Sequence, residues 1–128
     1  MLVVDAAVAV NASYGGLGPL RGEELVAPPL MWAEARSVLH EAVWRGEVAE
    51  TEGVRLLAAL GRLPISRRNP ARLGETAWRL ADELGWAKTY DAEYLALAQL
   101  LRCRTVTVDF RLRRGADRLG LVVLPSEL

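Results

Sequence analysis

Short apolar runs alternate with longer stretches of helical periodicity along the whole chain. "LVV" (2–4), "ELVAPP" (24–29), "LPIS" (63–66), "TVTV" (105–108) and "LVVL" (121–124) are brief, apolar and rich in β-branched residues, as buried strands are. "AAVAVNASY" (6–14) reads as a helix and "GGLGP" (15–19) as the loop after it. "LMWAEARSVLHEAVWRGE" (30–47) places apolar residues at 31, 35, 38, 39 and 42, which is helical spacing; Pro29 is placed to start it and Gly46 to end it. Further helices are predicted over 49–62, 69–86 and 90–103, the second with Asn69 as cap, Pro70 at its first position and Gly85 beyond its end. No repeat, low-complexity segment or linker interrupts the pattern. Strands alternating with helices predict one α/β domain over residues 1–128, a parallel sheet with helices on both faces.

Composition narrows the reading only slightly. A chain of 128 residues that is 52% hydrophobic has enough apolar material for one core. The formal charge is zero, which argues against bulk attraction to nucleic acid or membrane. The balance is uneven along the chain: residues 1–54 hold three arginines against eight acids, and residues 55–128 carry the opposite excess. Lys88 is the only lysine, a bias that arginine-rich, GC-rich coding explains. Cys103 stands alone, so an intrachain disulfide or a cysteine-rich zinc site is excluded. The apolar start is interrupted by Asp5 and lacks a basic segment, a poor signal peptide, and no run is long enough to span a membrane; a cytoplasmic protein is expected.

The isolated carboxylates carry the chemistry. In an open parallel sheet, ligands bind beyond the carboxyl ends of the strands. Asp5 follows the first strand and Asp109 follows "TVTV". Glu34 lies in the first turns of a helix that leaves the second strand, and Asp91 opens a helix that leads back into a strand. All four are therefore predicted on one rim. Each has an ordinary alternative: Asp91 and Asp109 as helix caps, Glu34 as a surface residue. Asp5 is the hardest to explain that way, since it lies between "VV" and "AAVAV" and a lone buried charge is costly. Hard divalent cations such as Mg²⁺ or Mn²⁺, which take oxygen ligands, supply the counter-charge four crowded carboxylates need.

The blocks "VVDAAVAV", "PPLMWAEARSVL", "TYDAEYLALA" and "TVTVDFRL" resemble the four blocks of PIN-domain nucleases, and most closely the VapC-type toxins of toxin–antitoxin pairs. The resemblance runs over nearly the whole chain, in the family's order. It implies a five-stranded sheet of order 3-2-1-4-5, Mg²⁺- or Mn²⁺-dependent cleavage of RNA and inhibition by a small antitoxin. Metal binding carries over to Asp5 and Asp91, with Glu34 and Asp109 as the supporting acids and Thr107 as a hydroxyl beside the last of them. Self-association as a homodimer is expected from the same likeness, with apolar helices between 30 and 61 and Trp32 and Trp44 available for contact.

Other features are weaker. "GGLG" lacks the lysine and hydroxyl of a phosphate loop. Cys103 reads as helix-end core, and His40, the only histidine, as a surface or packing residue. The tryptophans suit core or protein contact better than base stacking. Arg111, Arg113 and Arg114 follow Asp109 and are candidates to bind RNA backbone or acids of a partner, against a solvated surface as the alternative. Three rivals stand beside the nuclease toxin. The first is a housekeeping nuclease acting in RNA maturation or on structured DNA. The second is a binding module of the same fold without activity. The third is a receiver domain, which would want an acidic pair after its first strand and a lysine after its last.

Overall fold

The computed structural model describes all residues from Met1 to Leu128. Five parallel strands form one sheet: β1 (Leu2–Val4), β2 (Leu25–Ala27), β3 (Ile65–Arg67), β4 (Arg104–Val106) and β5 (Val122–Val123), in the order β3-β2-β1-β4-β5. The central β1 pairs Leu2 and Val3 with Leu25 and Val26 on one side, and Leu2 to Val4 with Arg104 to Val106 on the other. The fold and strand order are those expected.

Six helices connect the strands: α1 (Ala6–Gly15), α2 (Leu30–Trp44), α3 (Glu50–Arg62), α4 (Leu73–Leu84), α5 (Tyr90–Leu101) and α6 (Phe110–Gly115). Helices α1, α2 and α3 pack on one another, and α4 packs on α5. Parallel crossovers are right-handed. The chain steps one way along the sheet from β1 to β3 and the other way from β3 to β5, so the two helix groups cover opposite faces.

The core explains the strand sequences. Val3, Val4, Val26, Ala27 and Val106 have no solvent exposure, as expected of strands covered on both faces. Helix α5 is buried nearly all round, with Ala92 and every residue from Tyr94 to Ala98 inside, and its alanines let the sheet and α4 approach closely. Trp32 is half-buried beneath the Arg67 guanidinium, 5.3 Å from its ring centre, whereas Trp44 is 81% exposed.

The elements otherwise differ from the sequence reading by a residue or a few at their ends; the larger differences are at α4, β3 and β4, and one helix is new. Helix α4 begins at Leu73; Asn69 and Pro70 lie in the preceding turn, closed by the Leu73 amide bonding the Pro70 carbonyl at 3.0 Å. The Arg68 amide still bonds the Ala27 carbonyl at 3.0 Å, so the chain stays extended beside β2 and delays the helix. Strand β3 starts two residues later than "LPIS" and ends one later, and β4 stops at Val106. Residues 110–115, read as a basic run, form α6, because the Asp109 side chain caps them.

Helices α2 and α3 meet at Gly53, where an added Cβ would lie 2.5 Å from Val43 Cγ2. Helix propensity alone favours Gly53→Ala by about 1 kcal/mol, but overpacking against a stiff β-branched side chain costs about 1–3 kcal/mol. Gly53→Ala is therefore expected to lower the thermal midpoint. In a Val43→Ala background the same substitution should raise it. A midpoint that rises in both backgrounds would show that the two helices are not in close contact here.

Candidate active site

The carboxyl edge of the sheet gathers all four acids. Asp5 leaves β1 and caps α1, Glu34 lies in the second turn of α2, Asp91 in the first turn of α5, and Asp109 caps α6. Together with Asn11, Val38, Tyr94 and Leu112 they line one cleft of about 370 Å³. Every donor facing it from these acids is a hard carboxylate oxygen, the set that suits a divalent cation such as Mg²⁺. The acids line the cleft without closing on a point: no three of them form a coordination-sized cluster.

Asp5 is the most constrained of them, at 6% exposure. Its Oδ1 accepts the Val8 amide at 2.9 Å, and its Oδ2 accepts the Thr107 hydroxyl. Burial is the main reason its pKa is pushed up to about 6 from 3.8, and the charges of Asp91 and Asp109 push the same way; the Thr107 and Val8 hydrogen bonds oppose the rise. Thr107 itself has no exposure, and its Oγ1 also accepts the Asp109 amide at 3.0 Å. One hydroxyl thus fixes the first acid to the backbone of the last.

Asp91 keeps solvent-facing surface, yet its pKa is raised, first by partial desolvation and then by the charge of Asp109, with Arg111 offsetting some of the rise. Asp109 spends one oxygen on its cap, accepting the Arg111 amide at 2.9 Å. Glu34 accepts a hydrogen bond from Tyr94, a ring 1% exposed. Burial first, then that bond and the charges of Glu34, Asp5 and Asp91, hold the Tyr94 phenol protonated as a fixed donor. Tyr94 was not singled out from sequence, although it lies three residues after Asp91, on the same helical face. Neither was Glu93, whose pKa is raised by desolvation and then by Glu34.

The three arginines after Asp109 divide. Arg111 lines a second crevice contiguous with the acid cleft and comes 3.8 Å from Asp109. Arg113 turns away to grip Glu127 at 3.0 and 3.1 Å and to pair with Asp117. Arg114 is exposed and lines neither crevice. His40 sits in the groove between α2 and α3, and half-buried Cys103 lies near the amino ends of β1 and β4, so neither reaches the acids.

The sequence pattern of the PIN domain matches residues 4–118, and the chain belongs to that family. It is 34% identical over 130 residues to "VapC ribonuclease Mb0985" of Mycobacterium bovis and to "Ribonuclease VapC9" of Mycobacterium tuberculosis, covering 98% of this chain and 99% of each relative. Against "Ribonuclease VapC1" of Mycobacterium tuberculosis it is 37% identical over 119 residues, 86% of both chains. In fold it is similar to PAE2754 from Pyrobaculum aerophilum, with a TM-score of 0.78 and 21% identity over 98% of this chain and 90% of that one. It is also similar in fold to a chain of a toxin–antitoxin complex from Klebsiella pneumoniae, with a TM-score of 0.66 and 20% identity over 98% of each.

The raised Asp5 pKa gives a signed stability change. The native state holds this proton more tightly than the unfolded chain, so stability falls as pH rises from about 4 through about 6. In EDTA at pH 7.5, Asp5→Asn is expected to be more stable than the wild type by about 1–3 kcal/mol, with the advantage shrinking toward pH 4. Thermal or urea unfolding across that range checks it, and a gap that widens at low pH would contradict the assignment. Thr107→Val removes a buried donor from Asp5 and should cost about 1–3 kcal/mol at pH 7.5, whereas Thr107→Ser should keep most of the wild-type stability.

Proposed function

We propose that this chain is a metal-dependent endoribonuclease, the toxin of a toxin–antitoxin pair. The observation that carries the reading is the convergence of Asp5, Glu34, Asp91 and Asp109 on one cleft, in a chain alike from end to end to proteins named ribonucleases. Asp5 and Asp91 would hold Mg²⁺ or Mn²⁺, with Glu34 and Asp109 as supporting acids. The ion supplies charge neutralisation at the phosphate and a water acidic enough to deprotonate near neutral pH. Tyr94 orients Glu34, and Thr107 orients Asp5 relative to Asp109.

The cleft contains no Ser, Cys, His or Lys to act as nucleophile. With a metal held by these acids, water would be the attacking group, and cleavage should leave a 5′-phosphate and a 3′-hydroxyl. In the cell, the rim of acids calls for a lock, and an arginine on a small antitoxin fits it, since guanidinium forms bidentate pairs with carboxylates. A homodimer would cover apolar surface on α2 and α3, including Trp44 and Leu57.

The test is incubation of the pure protein with mixed RNAs, with and without Mg²⁺ or Mn²⁺, followed by end mapping. Cleavage is expected only with metal, and Asp91→Asn should lower it by about a hundred-fold or more, the scale of losing a catalytic-site charge. Products ending in a 2′,3′-cyclic phosphate would overturn the water mechanism. Expression of the wild-type chain alone should arrest growth and Asp5→Asn should not; a harmless, soluble wild-type chain in its own host freed of its antitoxin would favour the housekeeping nuclease.

A further inference from the structure

The acid cleft carries no cation of its own, although its substrate is a polyanion. Beside it lies a second crevice that shares Glu34, Asp91, Asp109 and Leu112 with it and is completed by the α4–α5 connection. Helix α4 ends at Gly85 in the left-handed conformation, φ 71°, and the chain then runs through Trp86 and Lys88 to Tyr90 at the start of α5. Lys88 and Arg111 are the only basic residues lining either of these two crevices. Lys88 takes part in none of the chain's ion pairs, so its ammonium is free. Arg111 is 88% exposed and held only by the long 3.8 Å approach to Asp109. Tyr90 is 54% exposed, lines the crevice and makes no side-chain hydrogen bond to the protein, so much of its ring is accessible there. Trp86 forms the floor, half-buried and packed against Gly115, where an added Cβ would meet its ring at 3.4 Å.

We infer that this crevice is a substrate subsite for the nucleotide adjoining the scissile phosphate, with Lys88 and Arg111 receiving its phosphate and the Tyr90 ring stacking on its base. The inference rests on the nuclease reading above. Two physical requirements select the arrangement. A metal in the cleft offsets the acids at the scissile phosphate but not at its neighbour, and these two side chains are the cations placed beside that next position. A base stacks on an aromatic ring only when it is splayed out of a helix, so the subsite selects an unpaired stretch of RNA over a duplex.

The experiment is steady-state cleavage of a single-stranded oligoribonucleotide by the full chain in Mg²⁺ or Mn²⁺, repeated over a range of KCl. Tyr90→Ala is expected to raise KM about ten-fold with kcat changed less, and Tyr90→Phe to restore it, since the ring and not the hydroxyl does the stacking. Lys88→Gln should raise KM and flatten the dependence of log(kcat/KM) on log[KCl] by about 0.7, the slope of one phosphate contact on a single strand. Arg62→Gln supplies the control: Arg62 is exposed at the end of α3, just ahead of β3 and so at the amino edge of the sheet, and it makes the same change in net charge. Equal effects from Lys88→Gln and Arg62→Gln, or a Tyr90→Ala enzyme with wild-type KM, would overturn the subsite while leaving the nuclease intact. Absence of cleavage by the wild type would instead remove the reading on which it rests. A duplex cleaved as efficiently as the single strand would also overturn it.

Discussion

The Asp5 carboxyl is held almost out of reach of water at the end of the central strand, and the surrounding structure is arranged to tolerate it. Its two oxygens take donors from opposite halves of the chain, the Val8 amide at the start of α1 and the Thr107 hydroxyl after β4. Those bonds favour the ionised form, and burial with two neighbouring carboxylates opposes it more strongly. A charge held at a net cost is poorly explained as a stabiliser of the fold. It fits the proposed role of Asp5 in holding a cation, and the same bonds that restrain it bring Asp109 into line.

Much of this was legible in the chain itself. Parallel strands buried on both faces must be short and uniformly apolar, so "LVV" and "LVVL" announced themselves, and the strand order followed from the family likeness. Asp5 was legible because it interrupts an apolar block where a charge has no packing reason to be, and the other three because the strand–helix alternation brings them to the same rim. Tyr94 was hidden for the opposite reason: an aromatic in "YDAEYLALA" suits the core perfectly well, and only the fold shows its hydroxyl reaching Glu34 across sixty positions. Asn69 and Pro70 make a good local helix opening, yet a tertiary bond from Arg68 to Ala27 keeps the chain extended and α4 starts later. Helix α6 was missed because three arginines in a six-residue segment mask the periodicity, and its one buried side chain, Leu112, is too little signal.

The uneven charge along the chain becomes local in three dimensions. Asp5 and Glu34 come from the acidic first part of the sequence, and Arg111 and Lys88 from the basic remainder. The fold sets the two groups beside each other at one edge rather than pairing them, so a negative cleft adjoins a positively charged crevice wall. Arg113 shows the contrasting use of the same residue type, its guanidinium shared between Glu127 and Asp117 and committed to structure. That pairing keeps Glu127 ionised, its pKa lowered to about 2 mainly by the Arg113 hydrogen bonds.

The clasp between Arg113 and Glu127 also divides the site by mechanical firmness. Asp5 and Glu34 are anchored in elements whose side chains lie deep in the core. Asp109 caps a helix of six residues, far below the length at which a helix persists unaided. Its order is lent by the Asp109 cap, by Leu112, and by ion pairs on the outside of the molecule. Salt screens those ion pairs, while the apolar contacts of the sheet do not depend on charge. Asp109 thus stands between two kinds of support, a buried hydroxyl that ties its backbone to Asp5 and a short outer helix braced by surface charges.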